Sequence, residues 1–276
     1  MSLSDQVMNM AAAEAEVQAA PVSIGMDPGE APQIADPPDT HVELPGGYID
    51  PSGVLHTSAV VRELNGSDEE HVLGLRNVDN PVDYMNAFLN RAVLSIGTHP
   101  CAPEIIDSLL IGDRTALALG IRKATYGKTI TNANVCPHCG ESLDVHVDLD
   151  DVTIKKLEDP MQRIFPVELP RGGVAEVRLP TGADQHASYA NTKRLEMANT
   201  VMLARCVVSL RGKRVDDMKD VPDQVMRNLN ITDRRAILNA LAELQPGPQY
   251  EEVKVPCAAC GEKFTPALDW ADLLSG

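Results

Sequence analysis

Two short stretches of this sequence carry residues that can do chemistry together. Val135-Cys136-Pro137-His138-Cys139-Gly140 and Pro256-Cys257-Ala258-Ala259-Cys260-Gly261 are both Cys-x-x-Cys-Gly turns, about 120 residues apart. Such a turn lets two thiolates converge on one ion, and its glycine accepts the positive φ after the second sulfur at no steric cost. A structural zinc needs four ligands in a tetrahedron, of which one turn supplies two. The pair of turns therefore predicts one structural zinc per chain, held by Cys136, Cys139, Cys257 and Cys260. Cys136-Pro137-His138-Cys139 also has the form of a redox dithiol, which places its first cysteine at a helix N-terminus that lowers the thiol pKa. Here Leu143, Val145, Val147 and Leu149 alternate with Asp144, His146, Asp148 and Asp150, the period of a strand rather than a helix. Zinc is the preferred reading; a redox dithiol and empty reduced thiols remain the alternatives.

Four cysteines complete a zinc shell, so His138, inside the first turn, is expected beside the ion or in solvent rather than on it. Cys101 and Cys206 have no Cys-x-x-Cys partner, and Cys206 is expected in the core. The remaining histidines show no ligand spacing. A phosphate-binding glycine loop, G-x-S-x-G and H-E-x-x-H are all missing, so no catalytic or cofactor-binding residue is expected. Asp144, Asp148, Asp150 and Asp151 do not follow the spacing of a calcium loop.

The elements that must position these turns have to be built from 276 residues with 43% hydrophobic but only 3% aromatic content. Leu, Val, Ile, Ala and Met must therefore fill the core. A net charge of −16 repels phosphate backbones, which argues against nucleic-acid binding. Arg211, Lys213 and Arg214, the longest basic cluster, read as a solvated loop. No apolar run approaches the roughly 20 residues that span a bilayer. The N-terminus has no basic segment followed by an apolar one, so a reducing, cytoplasmic location is expected.

Residues 1–40 hold no Lys or Arg but seven Asp and Glu, with five prolines after an Ala-rich stretch from Met8 to Ala20. That composition predicts a disordered acidic arm. From there the chain reads as two halves, 41–160 and 161–276. In the first, strands His41–Leu44 and Val54–Leu64 flank glycine- and proline-rich turns, and helices are predicted from Ser67, from Pro81 to Ile96, from Pro103 to Leu110 and from Asp113 to Thr125. In the second, strands Ile164–Leu169 and Val174–Leu179 precede helices over Asn191–Leu210, Pro222–Leu229 and, capped by Thr232, on to Leu244. Strand-like runs lead into and out of both cysteine turns. Gly112-Asp113-Arg114 matches Thr232-Asp233-Arg234 at an offset of 120 residues, and Arg91 to Ser95 matches Arg205 to Ser209. The fold class expected is α+β: two pseudo-repeated halves, each a β-hairpin, a helical cluster and a Cys-x-x-Cys hairpin, joined by a shared zinc.

Four features in this order carry a resemblance. They are Gly112-Asp113-Arg114 opening a helix that ends Arg122-Lys123-Ala124-Thr125-Tyr126-Gly127, and Val135 to Leu143 with the acidic strand after it. Then come Val177-Arg178-Leu179-Pro180-Thr181-Gly182-Ala183-Asp184 ahead of a helix ending Leu203 to Val207, and Cys257 to Gly261 followed by Asp269 and Trp270. Over roughly residues 43–274 the chain resembles the baseplate hub assembly proteins of T-even-type contractile phages and their relatives in phage-like contractile injection systems. The resemblance implies a non-enzymatic assembly chaperone or structural component whose partners are baseplate or hub proteins, and which either leaves afterwards or stays in the particle. The alternatives are a zinc-stabilised interaction adaptor unrelated to phage and a dithiol oxidoreductase.

Overall fold

In the computed structural model of the chain, residues 40–75, 80–190 and 197–267 are described. The acidic arm, the start of the helix expected at Asn191, and Asp269 and Trp270 lie outside them. The described chain opens with an antiparallel meander of β1 (Thr40–Ile49), β2 (Leu55–Val61), β3 (Val93–Ile96) and β4 (His99–Pro100), paired in that order. The hairpin is longer than expected. β1 runs through Pro45-Gly46-Gly47, with the register shifting between Glu43 and Tyr48, and the chain reverses at Asp50-Pro51-Ser52-Gly53. Glycine permits this: Gly47 sits at φ 71, and a Cβ on Gly46 would come within 2.6 Å of Leu110 Cδ1.

Two helices connect β2 to β3. α1 (Gly66–Gly74) starts just before Ser67, because Asn65 and Asp68 exchange backbone-to-side-chain hydrogen bonds at 3.0 and 3.1 Å. α2 (Pro81–Ala92) stops short of Ile96 and hands directly to β3. Met85, Phe88, Leu89 and Ala92 are buried at helical spacing, but Val93 and Ile96 pair with Val61 and Ala59, so sheet hydrogen bonds take over an apolar run that keeps its period. α3 (Pro103–Ser108) leads to α4 (Ile111–Tyr126), which is buried on nearly every side and ends where Gly127 takes φ 80. β5 (Thr129–Val135) and β6 (Ser142–Asp148) then form an in-register hairpin that turns Ile130, Val145 and Val147 inward.

After β7 (Ile154–Lys155), a second antiparallel meander contains β8 (Ile164–Glu168), β9 (Val174–Arg178), β10 (Val207–Leu210) and β11 (Lys213–Arg214). α5 (Gly182–Tyr189) and α6 (Ala198–Cys206) lie between β9 and β10. The long helix expected over Asn191–Leu210 thus ends at Cys206, where Val207 enters the sheet opposite Val177. α7 (Pro222–Asn228) precedes α8 (Ile231–Leu244), whose cap is Asn230 rather than Thr232: its side-chain oxygen accepts the Asp233 N–H at 2.9 Å. β12 (Gly247–Pro248) pairs back onto β7, and the short strands β13 (Val255–Pro256) and β14 (Lys263–Phe264) carry the second cysteine turn.

Two apolar cores result, and each takes residues from the other end of the chain. The first core, around Phe88, Leu89, Leu117 and Ile121, includes Val253, Cys257 and Phe264. The second, around Val177, Leu203, Met226 and Ile237, includes Leu110. Each such side chain contributes about 1.5–3 kcal/mol of burial to a core built by another segment. Backbone contacts follow the same path. Leu110 bridges Thr181, and a Cβ on Gly112 would sit 1.6 Å from the Pro246 carbonyl oxygen, so only glycine fits there.

Candidate metal centre

Both cysteine turns are folded by the same hydrogen bonds. Cys136 N–H donates to Glu141 O and Gly140 N–H to Cys136 O; Cys257 N–H donates to Glu262 O and Gly261 N–H to Cys257 O, all at 2.9 Å. Gly140 and Gly261 take φ 76 and 77, the left-handed conformation the sequence assigned to them. The turns face each other. Cys136 Sγ lies 3.8 Å from Cys260 Sγ, Cys139 Sγ lies 3.8 Å from Cys257 Sγ, and all four sulfurs fall within 4.8 Å of one another. Zinc–sulfur bonds of about 2.3 Å give a tetrahedron with edges of about 3.8 Å, so the donor set fits such an ion. Cys136 and Cys257 are buried, and Cys139 and Cys260 open to solvent. The N–H groups of Cys260 and Ala259 lower the Cys257 thiol, while burial and the neighbouring sulfurs raise Cys260 and Cys139, as expected of four thiols that cannot all ionise this close together without a cation among them.

Among the described residues both turns sit at the tips of hairpins, and neither opens a helix, so the feature that activates a redox dithiol is not built here. His138 is exposed. Cys206 is fully buried in the second core, as expected, and burial pushes its thiol up to about 12. Half-buried Cys101 packs against the first core, where burial pushes its thiol up to about 11. The exposed acidic strand pairs with lysines: Lys128 reaches Asp148 and Asp150, and Lys123 reaches Asp150.

The frame beneath the hairpins uses buried carboxylates in matching arrangements. Asp68 accepts Arg62 Nη1 and Nη2 at 2.6 and 3.0 Å and Arg91 Nε at 2.8 Å. Asp184 accepts Arg178 Nη1 and Nη2 at 2.6 and 2.9 Å and Arg205 Nε at 2.7 Å. Burial pushes Asp184 up, but the Arg178 hydrogen bonds and the Thr181 N–H outweigh it and leave the carboxyl at about 2. Asp113 accepts the Gly46 N–H at 2.7 Å, and Asp233 accepts the Arg171 N–H at 3.0 Å. Arg114 donates to Ile106 O and Asn86 Oδ1, while Arg234 donates to Met226 O and Thr200 Oγ1. Arg211, expected in a solvated loop, instead reaches the buried Asp233 at 2.9 Å.

The sequence signalled neither these clamps nor one further cluster. His56 and His99, which showed no ligand spacing, each place Nε2 3.1 Å from Asp50 Oδ2. A hairpin tip carrying Asp50 and His56 six residues apart was the available sign.

The class defined so far is an α+β protein with a four-cysteine cluster fitted to a metal ion. The chain belongs to the family described as T4 bacteriophage base plate protein, matched over residues 52–269. That places it in a baseplate-related role. No curated protein and no solved structure matches the chain. Among the described residues, no helix is long and apolar enough to cross a membrane.

Proposed function

We propose that the chain is a non-enzymatic assembly factor or structural component of the baseplate hub of a contractile phage tail or phage-like injection system. The observation that carries this reading is the family match across residues 52–269. In this reading residues 41–160 and 161–276 are copies of one unit, supported by the equivalent partners of Asp68 and Asp184 and of Arg114 and Arg234. One structural zinc, held by Cys136, Cys139, Cys257 and Cys260, joins the copies, supported by the 3.8 Å sulfur separations. The ion's contribution is to folding: it ties together two two-stranded hairpins, each marginal in isolation. Function then lies on the surfaces this frame presents to baseplate or hub proteins.

The test is co-expression of the full chain with tagged baseplate proteins encoded beside it. A stoichiometric complex with a hub component is expected, as are sheath, tube and spike genes alongside. Failure to bind any of those proteins, or a locus without tail genes, overturns the assignment.

A further inference from the structure

We infer that Asp50, His56 and His99 form a second divalent transition-metal site, separate from the cysteines, with a coordination position open to solvent. All three ligand atoms lie within 4.8 Å of one another. Both imidazole Nε2 atoms stand 3.1 Å from the same carboxylate oxygen, close to the edge of about 3.3 Å that bonds of about 2.0–2.1 Å impose in a tetrahedron. Two histidines and one carboxylate form a donor set suited to zinc and other first-row divalent ions, and three protein ligands leave a position for water.

The site is built rather than incidental. Asp50 Oδ1 is occupied by Ser52 N–H at 2.8 Å, Ser52 Oγ–H at 2.6 Å and Val54 N–H at 3.0 Å, which fixes the carboxylate and aims Oδ2 at the imidazoles. Tyr48 stacks on His56 with centroids 6.0 Å apart, and His99 meets the His56 ring edge-on at 4.9 Å. Gly97 makes room: a Cβ there would lie 2.2 Å from His56 Nδ1. The Asp50 and His56 side chains are 7% and 9% exposed, whereas His99 is 39% exposed, so the open position faces out. Asp50 and His56 sit on the part of the hairpin beyond the β1 bulge, and β4 supplies His99. The second meander has no such extension, since β8 and β9 are closed at once by Leu169 N–H donating to Gly173 O.

The test uses the full chain with its thiolate site loaded, titrated with Zn²⁺ while the histidine side-chain nitrogens are followed by NMR. One further equivalent is expected to bind and to move the Nε2 resonances of His56 and His99. His99→Gln, at the most exposed ligand, should weaken that equivalent at least about 100-fold, since even residues that only support ligands cost 10–100-fold. Co²⁺ in place of zinc separates the two sites, because only the cysteines give a thiolate charge-transfer band. No further equivalent, unmoved Nε2 resonances, or unchanged affinity in His99→Gln would each overturn the site.

Discussion

Asp113 and Asp233 occupy the third residues of α4 and α8, both with no exposed surface, and each takes a backbone N–H from its own meander's first hairpin, Gly46 within β1 and Arg171 in the turn after β8. They differ at the second oxygen. Asp233 Oδ2 receives Arg211 at 2.9 Å and Asn230 at 2.7 Å, whereas the buried Asp113 Oδ2 receives no side-chain donor. Where the second meander has Arg211 just after β10, the first has Gly97 just after β3, and the His56 ring fills the space above it. One region keeps a guanidinium on its helix-start carboxylate; the other gives that position to the imidazole cluster and leaves its carboxylate short of charge. The frame needs the backbone-to-carboxylate bond in both places, while the counterion is free to vary.

The largest effect should come from breaking the contact between the regions. Cys257 lies in the second cysteine turn but is buried in the first core. Cys257→Ala should abolish the proposed four-thiolate ion, and such an ion contributes about 10 kcal/mol or more to folding in isolated zinc modules. Hydrogen exchange should then show β5, β6 and α4 losing protection before β8 to β10. A variant that keeps its thiolate-bound metal, or that loosens only residues 161–276, would falsify the shared site.

A middle-sized effect tests how alike the regions are. Arg62→Ala and Arg178→Ala each strip a bidentate partner from a carboxylate at most 1% exposed. Leaving a buried charge so exposed to desolvation costs about 3–5 kcal/mol, and the second arginine on each carboxylate holds the loss near the lower figure. Denaturant midpoints should fall by similar amounts in the two variants. A shift in one and none in the other would mean that the matching geometry hides different energetics.

The sequence made the helices and strands legible wherever a local signal marks a boundary. Gly127 ends α4, Pro103 and Pro222 start α3 and α7, and period-two alternation marks β6. It failed twice in the same way, at Ala92–Val93 and Cys206–Val207, because an apolar run with helical period continues into a strand that only its sheet partner defines. The cysteines were legible because their turn is a local motif. The Asp50–His56–His99 cluster was not, since it depends on the bulge that lengthens β1 and on His99 arriving from the end of the meander. The arginine clamps carried no local motif, and in each the second arginine arrives from more than 20 positions away.

The smallest effect isolates the uncompensated carboxylate. Burial raises Asp113 to about 6, against the pull of the Gly46 and Gly47 N–H groups and the Arg163 charge. A folded pKa above the unfolded value of about 3.9 means that stability is fully present below that value and is lost as pH rises through about 6. Two units correspond to about 3 kcal/mol, so the wild type should weaken by up to that amount between pH 4 and 7 through this group alone. Asp184, lowered to about 2, acts in the opposite direction and in a separate window, losing its contribution only as pH falls from about 4 toward 2. Asp113→Asn keeps an oxygen for the Gly46 N–H and removes the charge, so the difference between variant and wild type in urea unfolding should grow in the variant's favour from pH 4 to 7. Asp233→Asn should instead destabilise the protein, because it takes the charge away from Arg211. Equal pH profiles for the two variants would show that Arg163 already neutralises Asp113, and the contrast between the two regions would then lie in geometry rather than charge.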